Sequence, residues 1–165
     1  MSSSIDLSDL YPLQKELDEE IATLHGVSYE STFHRRLLSL LVELGEFANE
    51  TRCFKYWSLK GPSPKERILD EYADGLHFYL SLGIPLGIHE HSHELKAQGD
   101  DLSKAILGVY EKAVSLAGHY DVDTYLDGLG AYLDLLPLLG YGPEEAKKAY
   151  LDKLSVNHKR QETHY

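Results

Sequence analysis

Five acidic residues in two short segments carry the first chemical signal. In "LVELGEFANE", Glu43, Glu46 and Glu50 interrupt a run of apolar residues, and in "ILDEYADGLHF", Glu71 and Asp74 repeat the pattern. An α-helix turns about 100° per residue, so Glu43, Glu46 and Glu50 fall within an arc of roughly 60° at one border of an apolar stripe. Glu71 and Asp74 also share a face, displaced from their own stripe in the same rotational sense. If the two helices pack antiparallel, like-displaced borders meet on one side of the contact, and Glu43, Glu46, Glu71 and Asp74 converge. Two unit charges about 4 Å apart cost about 4 kcal/mol at an effective dielectric near 20, so convergence calls for protonation or a cation. All-oxygen donors suit Mg²⁺ or Mn²⁺ rather than zinc. A single ExxE is ordinarily a solvated helix face. Two of them bordering apolar stripes leave the solvated face and the cation site as competing readings.

Other residues extend the chemistry. Lys153, Asn157 and Arg160 recur at i, i+4 and i+7 on one face of the last helical segment, ahead of Tyr165. They are types that bind phosphate, although basic residues near a helix C-terminus also complement its dipole. Phe54, Tyr56 and Trp57 surround Lys55 and read as core or interface aromatics. His89, His91 and His93 alternate in an irregular segment where solvated histidines are commoner than metal ligands. Asp74 with His77 and Glu90 with His93 imitate the acid-x-x-His pairs of a di-iron bundle, which leaves the basic face of the last segment unexplained. A helical interaction module without catalysis is the remaining alternative. Cys53, the single cysteine, excludes an intrachain disulfide and has no activating neighbour in sequence.

The elements that would position these residues are helical nearly throughout. Leu10, Leu13, Leu17, Ile21 and Leu24 mark a first helix ending at Gly26, with Gln14 and Asp18 one turn apart beside the stripe. A second helix is expected from about Thr32 to Thr51. Gly61 and two prolines then break the pattern; Ser63 as cap, Pro64 and Glu66 open a third helix that runs to Gly83. The stretch "IPLGIHEHSHELKAQG" carries no clear period and reads as loop or short helix. Asp100 or Asp101 caps a fourth helix ending near Gly118, and a fifth begins near Asp123 with Pro137 expected to kink or end it. Gly142 and Pro143 open the last. The expected fold is all-α, a single domain forming an antiparallel bundle of about five to six helices.

Totals narrow the function classes. A net charge of −11 argues against nucleic acid, whose phosphates demand clustered Lys and Arg. No apolar run approaches the roughly 18 residues of a membrane span, and "MSSSIDLSD" has no secretory character, so a cytoplasmic protein is expected.

With these residues in view, the chain resembles the dimeric all-α dUTPases, relatives of the MazG-like nucleotide pyrophosphohydrolases. The first helix is similar to the family's Q-x-x-L-D-x-x-I at Gln14, Leu17, Asp18 and Ile21. ExxE and ExxD follow at Glu43/Glu46 and Glu71/Asp74, the aromatic "FKYWS" stands after the first pair, and "YLDKLSVNHKRQETHY" resembles the closing K-N-x-x-N-x-x-R-Q with its tyrosine. Leu154 departs, standing where relatives usually carry Asn. The resemblance implies that Glu43, Glu46, Glu71 and Asp74 hold Mg²⁺, with Mn²⁺ as a substitute, and through it the triphosphate. Lys153, Asn157, Arg160 and Tyr165 are implied to close over the phosphates. Gln14, Trp57 and Phe78 are implied at the uracil, with Asp18 and Lys55 also contacting substrate. It further implies a homodimer that converts dUTP by attack of cation-activated water on the α-phosphorus, with Glu43 or Glu46 as base; hydrolysis of dUDP as well is left open, and dCTP is the alternative substrate.

Overall fold

The computed structural model describes residues 3–163, and Tyr165 therefore lies outside the described residues. Among the described residues seven α-helices follow one another, α1 (Leu10–His25), α2 (Tyr29–Thr51), α3 (Lys65–Gly83), α4 (Leu102–Ser115), α5 (Val122–Leu133), α6 (Leu135–Leu139) and α7 (Pro143–Glu162), with a single 3-10 turn at Ile84–Leu86 after α3. The all-α expectation holds, with α6 a helix of only five residues. One addition is a pair of three-residue antiparallel strands, β1 (Ser4–Asp6) and β2 (Ser92–Glu94), with Ile5 opposite His93. Ile5 is 1% exposed, so the pair closes one edge of the core.

Helix boundaries follow local chemistry. Gly26 ends α1 in the left-handed conformation, where a Cβ would be strained. α2 starts three residues before the expected Thr32, because Ser28 caps it reciprocally with Ser31. α3 differs from its expected capping box: Pro64 occupies the cap position and no side chain caps the helix, while the Ser63 backbone N–H donates instead to the Glu50 carbonyl at 2.9 Å. Asp101 caps α4 by accepting from the Lys104 N–H. α5 stops at Leu133 rather than at Pro137. A proline ring clashes with the carbonyl four residues earlier, which here belongs to Leu133, so the chain breaks at Asp134 and restarts. Asp134 is buried at that break and accepts from His93 Nε2, the Lys96 N–H and Gln98 Nε2 at 2.8–3.1 Å.

α2 and α3 form the scaffold of the molecule. Leu37, Leu40, Leu44 and Phe47 meet Ile68, Tyr72, Leu76 and Leu80 in the core. Their register is fixed at both ends: Arg36 Nη1 donates to the Ser81 carbonyl at 3.0 Å, and Arg67 pairs with Glu50 at 3.6 Å. The helices are thus antiparallel, and this register sets Glu43 opposite Asp74 and Glu46 opposite Glu71.

α3 is also held from behind by tyrosines. Tyr132 donates to the Tyr72 carbonyl at 2.6 Å, Tyr125 to the Tyr79 carbonyl at 2.8 Å, and Tyr120 to that of Leu82. Gly75 and Gly83 make room for this approach, because a Cβ at either would lie 2.2 or 2.4 Å from the Tyr132 or Tyr125 hydroxyl.

Candidate active site

Glu43, Glu46, Glu71 and Asp74 converge. Each offers an oxygen, and these four atoms all lie within 4.8 Å of one another. Among the described residues no other group of acids, histidines and cysteine converges in this way. Glu50 is not part of it, being turned to Arg67. Glu46 is exposed while the other three are partly buried.

The electrostatics match the crowding. Burial, then the hydrogen bond to Glu46, then the neighbouring carboxylates push Glu43 up to about 8. Burial and the charges of Asp74 and Glu46 push Glu71 up to about 7. Asp74 is raised by burial, with Lys153 pulling in the opposite direction. Glu43 Oε2 and Glu71 Oε2 are buried without a hydrogen-bond partner, an uncommon condition for carboxylate oxygens. Two orphaned oxygens inside an all-carboxylate donor set fit a hard divalent cation, and Mg²⁺ or Mn²⁺ suits such donors.

α7 brings Lys153 to the edge of the cluster. Its ammonium lies 2.9 Å from Asp70 Oδ1 and 3.2 Å from Asp74 Oδ1, and its side chain is 8% exposed. Burial disfavours the charge, but the hydrogen bonds and charges of the two aspartates outweigh it and raise Lys153 above its ordinary value. Asn157 and Arg160 follow on the same helix, both partly exposed. Leu154 is buried in the hydrophobic core. That departure from the family's Asn therefore places an apolar contact, not a polar one, beside Lys153.

Asp18 and Phe78 line a cavity of about 380 Å³ between α1, α2 and α3, together with Ile21, Tyr29, Thr32 and Arg36. Phe78 follows Asp74 by one turn of α3, roughly 6 Å along the axis, so the cavity and the acids share a face. Gln14 does not line this cavity. It is buried, with its amide nitrogen donating to Asp18 Oδ1 at 2.9 Å and its oxygen accepting from the Tyr150 hydroxyl at 2.8 Å and His77 Nδ1 at 2.6 Å. Burial holds His77 down to about 3, so the ring is neutral and its Nδ1 is the donor. Asp18 Oδ2 accepts in addition from Tyr29. Gln14 thus touches the cavity only through Asp18, whose carboxylate lines it together with the polar side chains of Tyr29, Thr32 and Arg36.

The aromatic segment stands apart from that cavity. Trp57 is 65% exposed and packs edge-on with Phe54 and Tyr56, while the Lys55 ammonium sits 5.8 Å from the centre of the Phe54 ring. The histidines do not join the acids: His93 bonds Asp134 and His89 bonds the Gly87 carbonyl. Neither acid-x-x-His pair forms a joint centre, since His77 is turned to Gln14 and His93 to Asp134. Asp70, Tyr150, Tyr29 and Arg36 are the residues that the sequence reading passed over, and His77 was singled out only as half of an acid-x-x-His pair. Tyr150 was accessible in principle, because it precedes Lys153 and Asn157 on the same face of α7.

Fold and site together define a helical-bundle protein with a four-carboxylate centre flanked by a cavity of nucleoside size. The sequence model of the dUTPase family matches residues 6–165, nearly the whole chain, and the protein belongs to that family: it is a dUTP diphosphatase, a hydrolase of nucleotide metabolism. No curated protein matches the chain.

Proposed function

We propose that the enzyme hydrolyses dUTP at the α-phosphorus, giving dUMP and pyrophosphate, with Mg²⁺ held by Glu43, Glu46, Glu71 and Asp74. The observation that carries this reading is the convergence of the four carboxylates with the orphaned Glu43 Oε2 and Glu71 Oε2 between them. Mn²⁺ can substitute, having the same preference for oxygen donors. When bound, the cation offsets the charge of the acids and the triphosphate and makes water more acidic.

The chain's own residues supply the rest. Glu46, the exposed member of the four, accepts the proton of the attacking water, with Glu43 beside it one turn earlier on α2. Lys153, Asn157 and Arg160 draw the phosphates against α7, with Tyr165 in the segment that follows, so the attacking and leaving oxygens can lie in line. Phe78 stacks on the base in the cavity. Asp18 accepts from uracil N3–H, which cytosine lacks; a site built to hydrogen-bond a substrate N–H discriminates strongly against its absence. Lys55 and Trp57 reach the substrate when their exposed segment folds over the cleft. A cytoplasmic location and a homodimer are part of this reading, the homodimer supported by exposed apolar residues on α2 and α4, including Leu38, Val42, Leu107 and Val114.

Measuring pyrophosphate release from each deoxynucleoside triphosphate and from dUDP tests the substrate assignment. A clear preference for dUTP is expected; equal rates on dCTP would remove Asp18 and the uracil from the account. Glu46→Gln should lower turnover about 10²-fold or more with unchanged helix content, and full activity in that variant would exclude Glu46 as base.

A further inference from the structure

Lys153 is shared between two carboxylates with different duties. Asp74 belongs to the convergent four, whereas Asp70 lies one turn earlier on α3, is 55% exposed at its side chain and is not a member of the group. A lysine ammonium offers three donors and can hold both aspartates at once. It also carries charge of the same sign as any cation that engages Asp74, so the two compete for that carboxylate. A lysine with Asp74 as its only partner would either obstruct the cation or, once displaced, lose its place beside the phosphates. The Asp70 bond at 2.9 Å, shorter than that to Asp74, provides a second hold roughly 6 Å along the helix axis.

We propose that Asp70 is a positioning residue, which retains Lys153 at the margin of the acid cluster when a divalent cation takes Asp74, and so keeps the ammonium where the triphosphate is bound. Lys153 in turn stands in for part of the cation's charge while the site holds no metal. The proposal rests on the cation site described above, but its specific content is that Asp70 acts through Lys153 and not through its own charge.

The experiment is a double-mutant cycle on the full chain: wild type, Asp70→Asn, Lys153→Met and the double variant. Mg²⁺ affinity without nucleotide is measured by calorimetry, and KM and kcat for dUTP by steady-state kinetics. Asp70→Asn should weaken Mg²⁺ binding and raise KM by about two- to fivefold each, the range of a partly exposed ion pair, with kcat little changed. Lys153→Met should tighten Mg²⁺ binding while impairing turnover. In the Lys153→Met background, Asp70→Asn should then change neither Mg²⁺ affinity nor KM, because the partner it acts through is gone. If Asp70→Asn has its full effect in that background, simple charge removal explains it and the proposal is overturned. The same holds if Asp70→Asn alone changes neither quantity. Wild-type protein that binds no Mg²⁺ would instead overturn the cation site itself, a distinguishable failure.

Discussion

At the scale of single residues, the acid cluster makes stability depend on pH in an unusual direction. Glu43 and Glu71 are held up at about 8 and about 7, against an ordinary glutamate value of 4.5. Between about pH 4.5 and 8 the folded protein therefore binds more protons than the unfolded chain, and stability falls as pH rises through that window. Metal-free protein should show a melting temperature that declines from pH 5 to pH 8, with a smaller decline in Glu43→Gln. Mg²⁺ should raise the melting temperature more at pH 8 than at pH 5.5, since at the lower pH protons occupy the same oxygens. A Mg²⁺ effect that is equal at both pH values would contradict the cluster's role. The ExxE and ExxD pairs were legible in the sequence because helical geometry alone determines which residues share a face. The engagement of Gln14 was not, because it depends on Tyr150, 136 positions away in the chain.

At the scale of elements, the site depends on α3 staying in register with α2, and the tyrosines behind α3 keep it there. Gly75→Ala would set a methyl group 2.2 Å from the Tyr132 hydroxyl, closer than any real contact. The rigid ring cannot yield without breaking its bond to the Tyr72 carbonyl, so a loss of about 1–3 kcal/mol is expected in urea unfolding. Tyr132→Phe, which removes the bond and keeps the ring, should cost about 1 kcal/mol. If Gly75→Ala proved neutral, α3 would have to be free to shift. Most helices were readable from apolar spacing, and Gly26, Asp101 and Pro143 bounded them as local rules require. The failures were also local in origin. Ser63 lost its capping role because its backbone is bound to Glu50 across the loop, and β1 and β2 are too short for an alternating pattern to register.

At the scale of the whole molecule, α7 couples the residues proposed to bind the phosphates to the bundle unevenly. Tyr150, Lys153 and Leu154 are buried, but beyond them the helix is tied to α1 by His158 on Glu20 at 2.7 Å and Gln161 on His25 at 3.1 Å, both at or near the surface. Amide exchange should be slow up to Leu154 and fast from Val156 onward, and a non-hydrolysable dUTP analogue with Mg²⁺ should slow the second group. Unchanged exchange on adding the analogue would mean that Asn157 and Arg160 do not close over the phosphates. Under the proposed function, an acidic protein binds a polyanion because the repulsion is met locally, by a cation among the acids and by Lys153 at their edge.

Under the proposed function, four carboxylates on two antiparallel helices serve dUTP hydrolysis through a divalent cation. Initial rates of dUMP formation as Mg²⁺ is titrated into chelator-treated enzyme test it most directly. The rate should rise from near zero to saturation, and Glu71→Gln should shift that curve to higher Mg²⁺. Undiminished turnover with excess chelator would contradict the account.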